Sequence, residues 1–202
     1  MAASPIPPLV LASASPRRLD LLRQVGFEPT EIDPPDVDET PAPHEEPRTY
    51  ALRMAASKLA AVVPRHPGAV VVAADSVVVC SRRILPKAES EAEARACLDR
   101  LSGRRHRVLG AVAVGYPDGS VRTRLVETIV RFKRLERAEV DDYLRSGEWR
   151  GKAGGYAIQG RAARFVDFLS GSYSNVVGLP LTETAALLQG AGYPVSYEAI
   201  AE

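Results

Sequence analysis

The sequence predicts an α/β fold built on a mixed sheet. Strand-like and helix-like segments alternate from residue 9 to about residue 103, the order expected when helices cover a largely parallel sheet. Residues 69–74 form a continuous apolar run, as in a strand covered on both faces. Residues 108–115 and 121–132 then flank Pro117-Asp118-Gly119, a turn signal that adds an antiparallel hairpin.

Each element follows from local chemistry. Residues 9–12 read as a short buried strand. Ser15 suits a helix N-cap, and Pro16 suits the first helical position, where no N–H is needed. Leu19, Leu22 and Val25 recur at helical spacing until Gly26 supplies the stop. Residues 27–32 read as a second strand, and residues 33–47, rich in proline and acid, as a loop. A helix is expected over residues 49–63, with Leu52, Ala55, Leu59 and Val62 on one face. Residues 77–80 continue extended. Ser90-Glu91-Ala92-Glu93 is a capping box that opens a helix ending near Gly103. Residues 138–146 form a short helix closed by Gly147, followed by a glycine-rich loop over 147–160, further extended chain, and a last helix over 182–189. No internal repeat or clean linker divides the chain, so residues 1–202 read as one domain.

Composition narrows the function. Hydrophobic residues are 46% and charged residues 25%, a globular balance. A formal net charge of +1 and 6% aromatics argue against a nucleic-acid module, and no apolar run approaches a membrane span. Residues 1–8 are proline-rich without a cationic run, unlike a secretory signal, so a cytoplasmic location is the expectation. Cys80 and Cys97 allow one disulfide, but two buried thiols are the expected state. His44, His66 and His106 show no metal-ligand spacing. There is no Walker loop, no dinucleotide fingerprint and no G-x-S-x-G.

What remains points toward phosphate. Ser13-Ala14-Ser15-Pro16-Arg17-Arg18 puts two hydroxyls and two guanidinium groups at a helix N-terminus, a ready anion site. Paired arginines there oppose the helix dipole, which suggests that a ligand supplies the missing negative charge; solvated arginines are the plain alternative. Asp75 is read as ending an apolar strand, where ligand sites of open α/β sheets gather. It could bind Mg²⁺ or take a proton from water, or simply cap a turn beside Ser76. In the acidic loop, Glu39 or Asp38 could join a metal site. Lys58 and Lys87 could neutralise phosphate charge. The glycines of residues 151–160 permit close backbone approach, and Gln159 offers a donor and an acceptor suited to a base edge. The run Arg104-Arg105-His106-Arg107 reads as a solvated face or an auxiliary phosphate contact.

Together, LASASPRR, AADSVVV, LSGRRH, GEWRGKAGGYAIQG and GSYSNVVGLPLTET resemble the Maf family of nucleoside triphosphate pyrophosphatases, over about residues 9–192. The resemblance implies an elongated mixed-sheet fold, similar to inosine triphosphatases, with two lobes around a central cleft. It implies attack of water on the α-phosphorus of a nucleoside triphosphate substrate with release of diphosphate, assisted by a divalent cation, Mg²⁺ or Mn²⁺. By motif position it makes Asp75 the proton acceptor and Arg17, Ser76 and Gln159 substrate-selecting. Arg18, Glu39, Lys58 and Lys87 match other active-site positions. The residues themselves add Ser13 and Ser15 as substrate-binding groups and Glu39 and Asp75 as metal ligands. A homodimer is also implied. The family usually has threonine where Ser76 stands and glycine-lysine-proline around Lys87, where this chain has Leu85-Pro86-Lys87-Ala88. Tyr156-Ala157-Ile158-Gln159-Gly160 is similar to the branch acting on dTTP and UTP. A 7-methyl-GTP pyrophosphatase, or a nucleotide-binding division regulator without turnover, are the alternatives.

Overall fold

The computed structural model describes residues 6–194; residues 1–5 of the proline-rich N-terminal segment lie outside the described residues. The chain runs β1 (Leu9–Ala12), α1 (Pro16–Gln24), β2 (Glu31–Ile32), α2 (Pro47–Val62), β3 (Val70–Cys80), β4 (Arg83–Leu85), β5 (Lys87–Ala88), α3 (Glu91–Leu101), β6 (Arg105–Gly115), β7 (Val121–Phe132), α4 (Arg137–Ser146), β8 (Lys152–Ala153), β9 (Val166–Ser170), α5 (Tyr173–Val177) and α6 (Leu181–Gln189). A seven-stranded sheet has the order β2-β1-β3-β6-β7-β9, with β4 paired to β3, and β5 and β8 form a separate ladder. β1 is parallel to β2 and β3, whereas β3, β6, β7 and β9 pair antiparallel, so the sheet is mixed as expected.

The period-2 geometry of β3 divides the core. Val71, Ala73, Val77 and Val79 pack with Tyr50, Met54, Leu59 and Val62 of α2. Val70, Val72, Ala74, Val78 and Cys80 face the other way, into a larger core with Leu22, Leu98, Tyr143 and Leu188 from α1, α3, α4 and α6. Both faces of β3 are therefore covered, which is why the strand reads as an unbroken apolar run.

The caps explain the helix ends. Ser90 Oγ accepts from Glu93 N and Glu93 Oε2 accepts from Ser90 N, the reciprocal pair expected at the start of α3. Gly147 ends α4 with φ 70°, in the left-handed region that glycine enters without penalty. α2 begins two residues earlier than expected because Pro47 takes its first position.

Three expectations change. The second strand shrinks to Glu31–Ile32, because the turn after α1 carries Phe27 into the core before the chain reaches the sheet. Asp75 does not end its strand: it lies in the middle of β3, 11 residues long, since its backbone pairs with Ala111 of β6. His106 leaves the solvated basic run, since strand alternation turns it inward between exposed Arg105 and Arg107. Cys80 and Cys97 are both free and buried. Among the described residues no helix is long and apolar enough to cross a membrane.

Candidate active site

The site begins at a gap in the sheet. β1 accompanies β3 only from Val70 to Ala73, and β4 rejoins the same edge at Val78. Across the intervening stretch Asp75 and Ser76 keep their ladder with Ala111 and Gly110 of β6, but their other edge has no strand beside it. There the chain leaves β1 and turns through Ser13–Ser15 into α1, and a cavity of about 380 Å³ opens. Alternation sends Asp75 toward α2 and Ser76 toward α1, so one strand serves both faces of the cleft.

On the α2 face a buried lysine organises the carboxylates. Lys58 lies on the same helical stripe as Ala51, Met54, Ala55 and Val62, where an apolar side chain is the norm. Its Nζ stands 2.6 Å from Asp75 Oδ1 and 2.7 Å from Glu39 Oε1. The other Glu39 oxygen accepts from Lys87 Nζ. Lys87, Glu39, Lys58 and Asp75 thus form a chain of alternating charge from the rim to the strand. Tyr50 fixes the loop by donating its hydroxyl to the Glu39 carbonyl at 2.7 Å. Burial pushes the Glu39 carboxyl up, but hydrogen bonds from Lys58 and Lys87 outweigh it and hold it at about 2.

On the α1 face the two arginines do different work. Arg18 donates from Nε to the Gly178 carbonyl at 2.9 Å, from Nη1 to Ser13 Oγ at 3.0 Å and from Nη2 to Ser76 Oγ at 3.4 Å. Its fork is committed to the protein. Among the described residues Arg17 donates only from Nε, to the Val177 carbonyl at 3.2 Å. Burial lowers the pKa of both guanidinium groups, and at Arg18 the charge of Asp75 works against that burial. At Arg18 the Gly178 carbonyl just after α5 offsets part of the dipole conflict expected at this helix start. Ser15 caps by position only: its side chain makes no cap hydrogen bond, and its amide instead donates to Ser13 Oγ at 3.2 Å.

α5 itself is seated by Asn175. Its amide donates to the Val108 carbonyl at 3.1 Å and to Thr128 Oγ1 at 3.0 Å. A Cβ at Gly110 would lie 1.8 Å from Asn175 Oδ1, so only glycine admits this contact.

The remaining wall is the glycine-rich loop. Gln159 sits exposed in the turn closed by the Gly160 amide on the Ala157 carbonyl, between buried Ile158 and the cleft. Behind it Tyr143 Oη accepts from the Ala157 amide at 3.1 Å, and His106 Nε2 pairs with Tyr156 Oη at 2.8 Å. The cavity lining brings together Ser13, Ser15, Arg17, Arg18, Glu39, Lys58, Asp75, Ser76, Lys87 and Gln159, all expected from the sequence. It also includes Arg150 and Lys152, which the sequence reading passed over. Two cations flanking Gly151 were the available signal. Arg104, Arg105 and Arg107 lie outside the lining, and Arg107 pairs with Glu127 instead.

For a divalent cation the donor set is small. Among the described residues no cluster of three or more His, Cys, Asp or Glu side chains is placed to hold a metal. Glu39 and Asp75, sharing one ammonium, fit the pair of carboxylates that Mg²⁺ combines with substrate phosphate oxygens. Asp38 does not fit: its carboxylate caps the Thr40 amide at 2.8 Å and lies outside the cavity lining.

The chain is similar to known proteins over most of its length. The dTTP/UTP pyrophosphatase of Rhodospirillum rubrum is 63% identical over 186 residues, covering 92% of this chain and 89% of that one. That of Caulobacter vibrioides is 61% identical, covering 96% and 99%. The structure of a HAM1 protein from Coxiella burnetii, 18% identical, covers 91% of this chain and 99% of that chain with a TM-score of 0.48. The family described as Maf-like protein matches residues 8–191, which takes in β1, the Asp75 strand, the glycine-rich loop and α5 alike. On that match the chain belongs to the Maf-like protein family.

Proposed function

We propose that this protein hydrolyses dTTP and UTP to the nucleoside monophosphate and diphosphate. The observation that carries the reading is the charge of the cleft around Asp75. Among the described residues its lining holds Arg17, Arg18, Lys58, Lys87, Arg150 and Lys152 beside Glu39 and Asp75, six cations to two carboxylates. The surplus of four matches the roughly four negative charges of a nucleoside triphosphate, and phosphoryl transfer is driven mainly by positioning and electrostatics. The choice of substrate follows the relatives named dTTP/UTP pyrophosphatase.

In this mechanism a water oxygen attacks the α-phosphorus and the bond from that phosphorus to the bridging oxygen breaks. Diphosphate leaves with the bridging oxygen, and Asp75 orients the water and accepts its proton. Lys58 holds the Asp75 carboxylate in place and balances its charge. Arg17 presents its free guanidinium edge to phosphate oxygens, while Arg18 fixes the turn between β1 and α1. Gln159, with a donor and an acceptor on the cleft wall, reads the edge of the pyrimidine. A divalent cation, Mg²⁺ or Mn²⁺, bound by Glu39, Asp75 and phosphate oxygens, would neutralise charge gathering on the phosphates. The protein works in this reading as a homodimer, as the resemblance implies, and in the cytoplasm, as the N-terminal composition suggests.

The test is diphosphate release with Mg²⁺ from dTTP, UTP, CTP, GTP and 7-methyl-GTP, by wild type and Asp75→Asn. Release from dTTP and UTP, abolished by the substitution, is the expected result. Release from 7-methyl-GTP alone would overturn the role of Gln159, and no release would leave a nucleotide-binding protein without turnover.

A further inference from the structure

The cations of the cleft fall into two sets. Lys58 and Lys87 are paired with Glu39 and Asp75, and the fork of Arg18 is spent on Ser13, Ser76 and Gly178. Arg17, Arg150 and Lys152 have no carboxylate within 4.0 Å among the described residues. Arg150 is exposed and stacks its guanidinium 4.6 Å from the Trp149 ring, where water solvates it. Lys152 is different. It is half-buried, and among the described residues its ammonium donates only to the Arg150 carbonyl at 3.0 Å.

The backbone holds this lysine firmly. Lys152 pairs with Ala88 in the β5–β8 ladder, next to the pair Lys87–Ala153. The Gly151 amide donates to the Ala88 carbonyl at 2.9 Å and the Gly154 amide to the Pro86 carbonyl at 3.0 Å. A Cβ at Gly154 would come within 2.9 Å of Val78 Cγ1, so glycine lets the ladder press against the strand that carries Asp75. Burial first, and then the nearby charge of Arg17, push the Lys152 ammonium toward its neutral form. The charge of Glu89 opposes this without forming an ion pair, so the free protein keeps two cations near each other, one of them partly dehydrated, with no carboxylate bound to either among the described residues.

We propose that Lys152, with Arg17, forms the subsite that holds the leaving diphosphate. This rests on the reading of the cleft as a nucleoside triphosphate pyrophosphatase site. The reacting α-phosphorus belongs beside Asp75, where the local cations are already matched by carboxylates. The uncompensated cations belong where the substrate carries its excess negative charge and where more develops as the bond breaks, which is the β- and γ-phosphates.

The experiment measures inhibition of UTP hydrolysis by each product separately, inorganic diphosphate and UMP, at fixed Mg²⁺, for wild type, Lys152→Gln and Lys152→Arg. Thermal melting of each variant checks that it is folded. Lys152→Gln is expected to weaken inhibition by diphosphate roughly tenfold or more, the size of one lost charged contact, while inhibition by UMP stays within about twofold. Lys152→Arg recovers most of the diphosphate effect. Unchanged diphosphate inhibition in Lys152→Gln, or a loss confined to UMP, overturns the proposal. If wild type releases nothing from UTP or dTTP, the functional reading fails on its own. Calorimetric titration of inorganic diphosphate into wild type and Lys152→Gln then still decides whether Lys152 binds it.

Discussion

The ammonium of Lys58 stands 2.6 Å from Asp75 Oδ1, with both side chains almost wholly buried. A helix stripe and a strand that would otherwise be apolar thus meet through a pair of opposite charges. Removing one member leaves the other buried and uncompensated. Lys58→Met should therefore lower stability by about 3 kcal/mol, since breaking a buried pair from one side is costly. It should also slow turnover by roughly a hundredfold, the scale seen when one group stabilising a reacting centre is lost. Denaturant unfolding and steady-state kinetics check the two effects separately.

The arginines should separate by readout. Arg18→Lys cannot reproduce a fork that reaches Gly178, Ser13 and Ser76 at once, so it should lower the melting temperature and activity together. Arg17→Lys loses one hydrogen bond to the Val177 carbonyl and keeps its charge, so the melting temperature should hold while KM for the nucleotide rises. A matched fall in melting temperature for both variants would contradict the division of roles.

Gly110→Ala should be among the most damaging single-methyl changes in the chain. The added carbon would meet Asn175 Oδ1 at 1.8 Å and displace α5, at whose C-terminal end the Val177 and Gly178 carbonyls anchor Arg17 and Arg18. A loss of about 2 kcal/mol or more is expected from overpacking combined with a broken polar contact. Activity should fall further than stability alone explains, which assays well below the melting temperature would show.

His106 should make stability depend on pH. Burial holds its imidazole at about 4, whereas in the unfolded chain it titrates near the ordinary value of 6.5. Between those values the unfolded state binds a proton that the folded state refuses. The stability contribution is therefore complete above about pH 6.5 and is lost as pH falls toward 4. The loss should be on the order of 2–3 kcal/mol, because the ring is only 2% exposed and little water screens it. Urea unfolding from pH 7 to pH 4 should show this slope in wild type and a flatter one in His106→Gln.

Most of the scaffold was legible because it is periodic. The β3 run, the Ser90 capping box, the hairpin around Asp118 and the glycine closing α4 each carry a local signal that the structure keeps. The short elements β4, β5, β8 and α5 were not legible, since two to five residues cannot display a period and are held by tertiary contacts. In the site, residue identity was easier to read than pairing. Asp75 and Lys58 each stood out, but their contact depends on α2 crossing the sheet gap, which no local pattern encodes. Lys152 carries little local signal, because what sets it apart is the lack of a paired carboxylate, a property of the folded cleft.

The most direct test is hydrolysis of UTP in ¹⁸O-labelled water, followed by mass analysis of both products. Attack at the α-phosphorus places the label in UMP and leaves diphosphate unlabelled, with neither product formed by Asp75→Asn. Label in the diphosphate, or undiminished turnover in Asp75→Asn, would contradict the account.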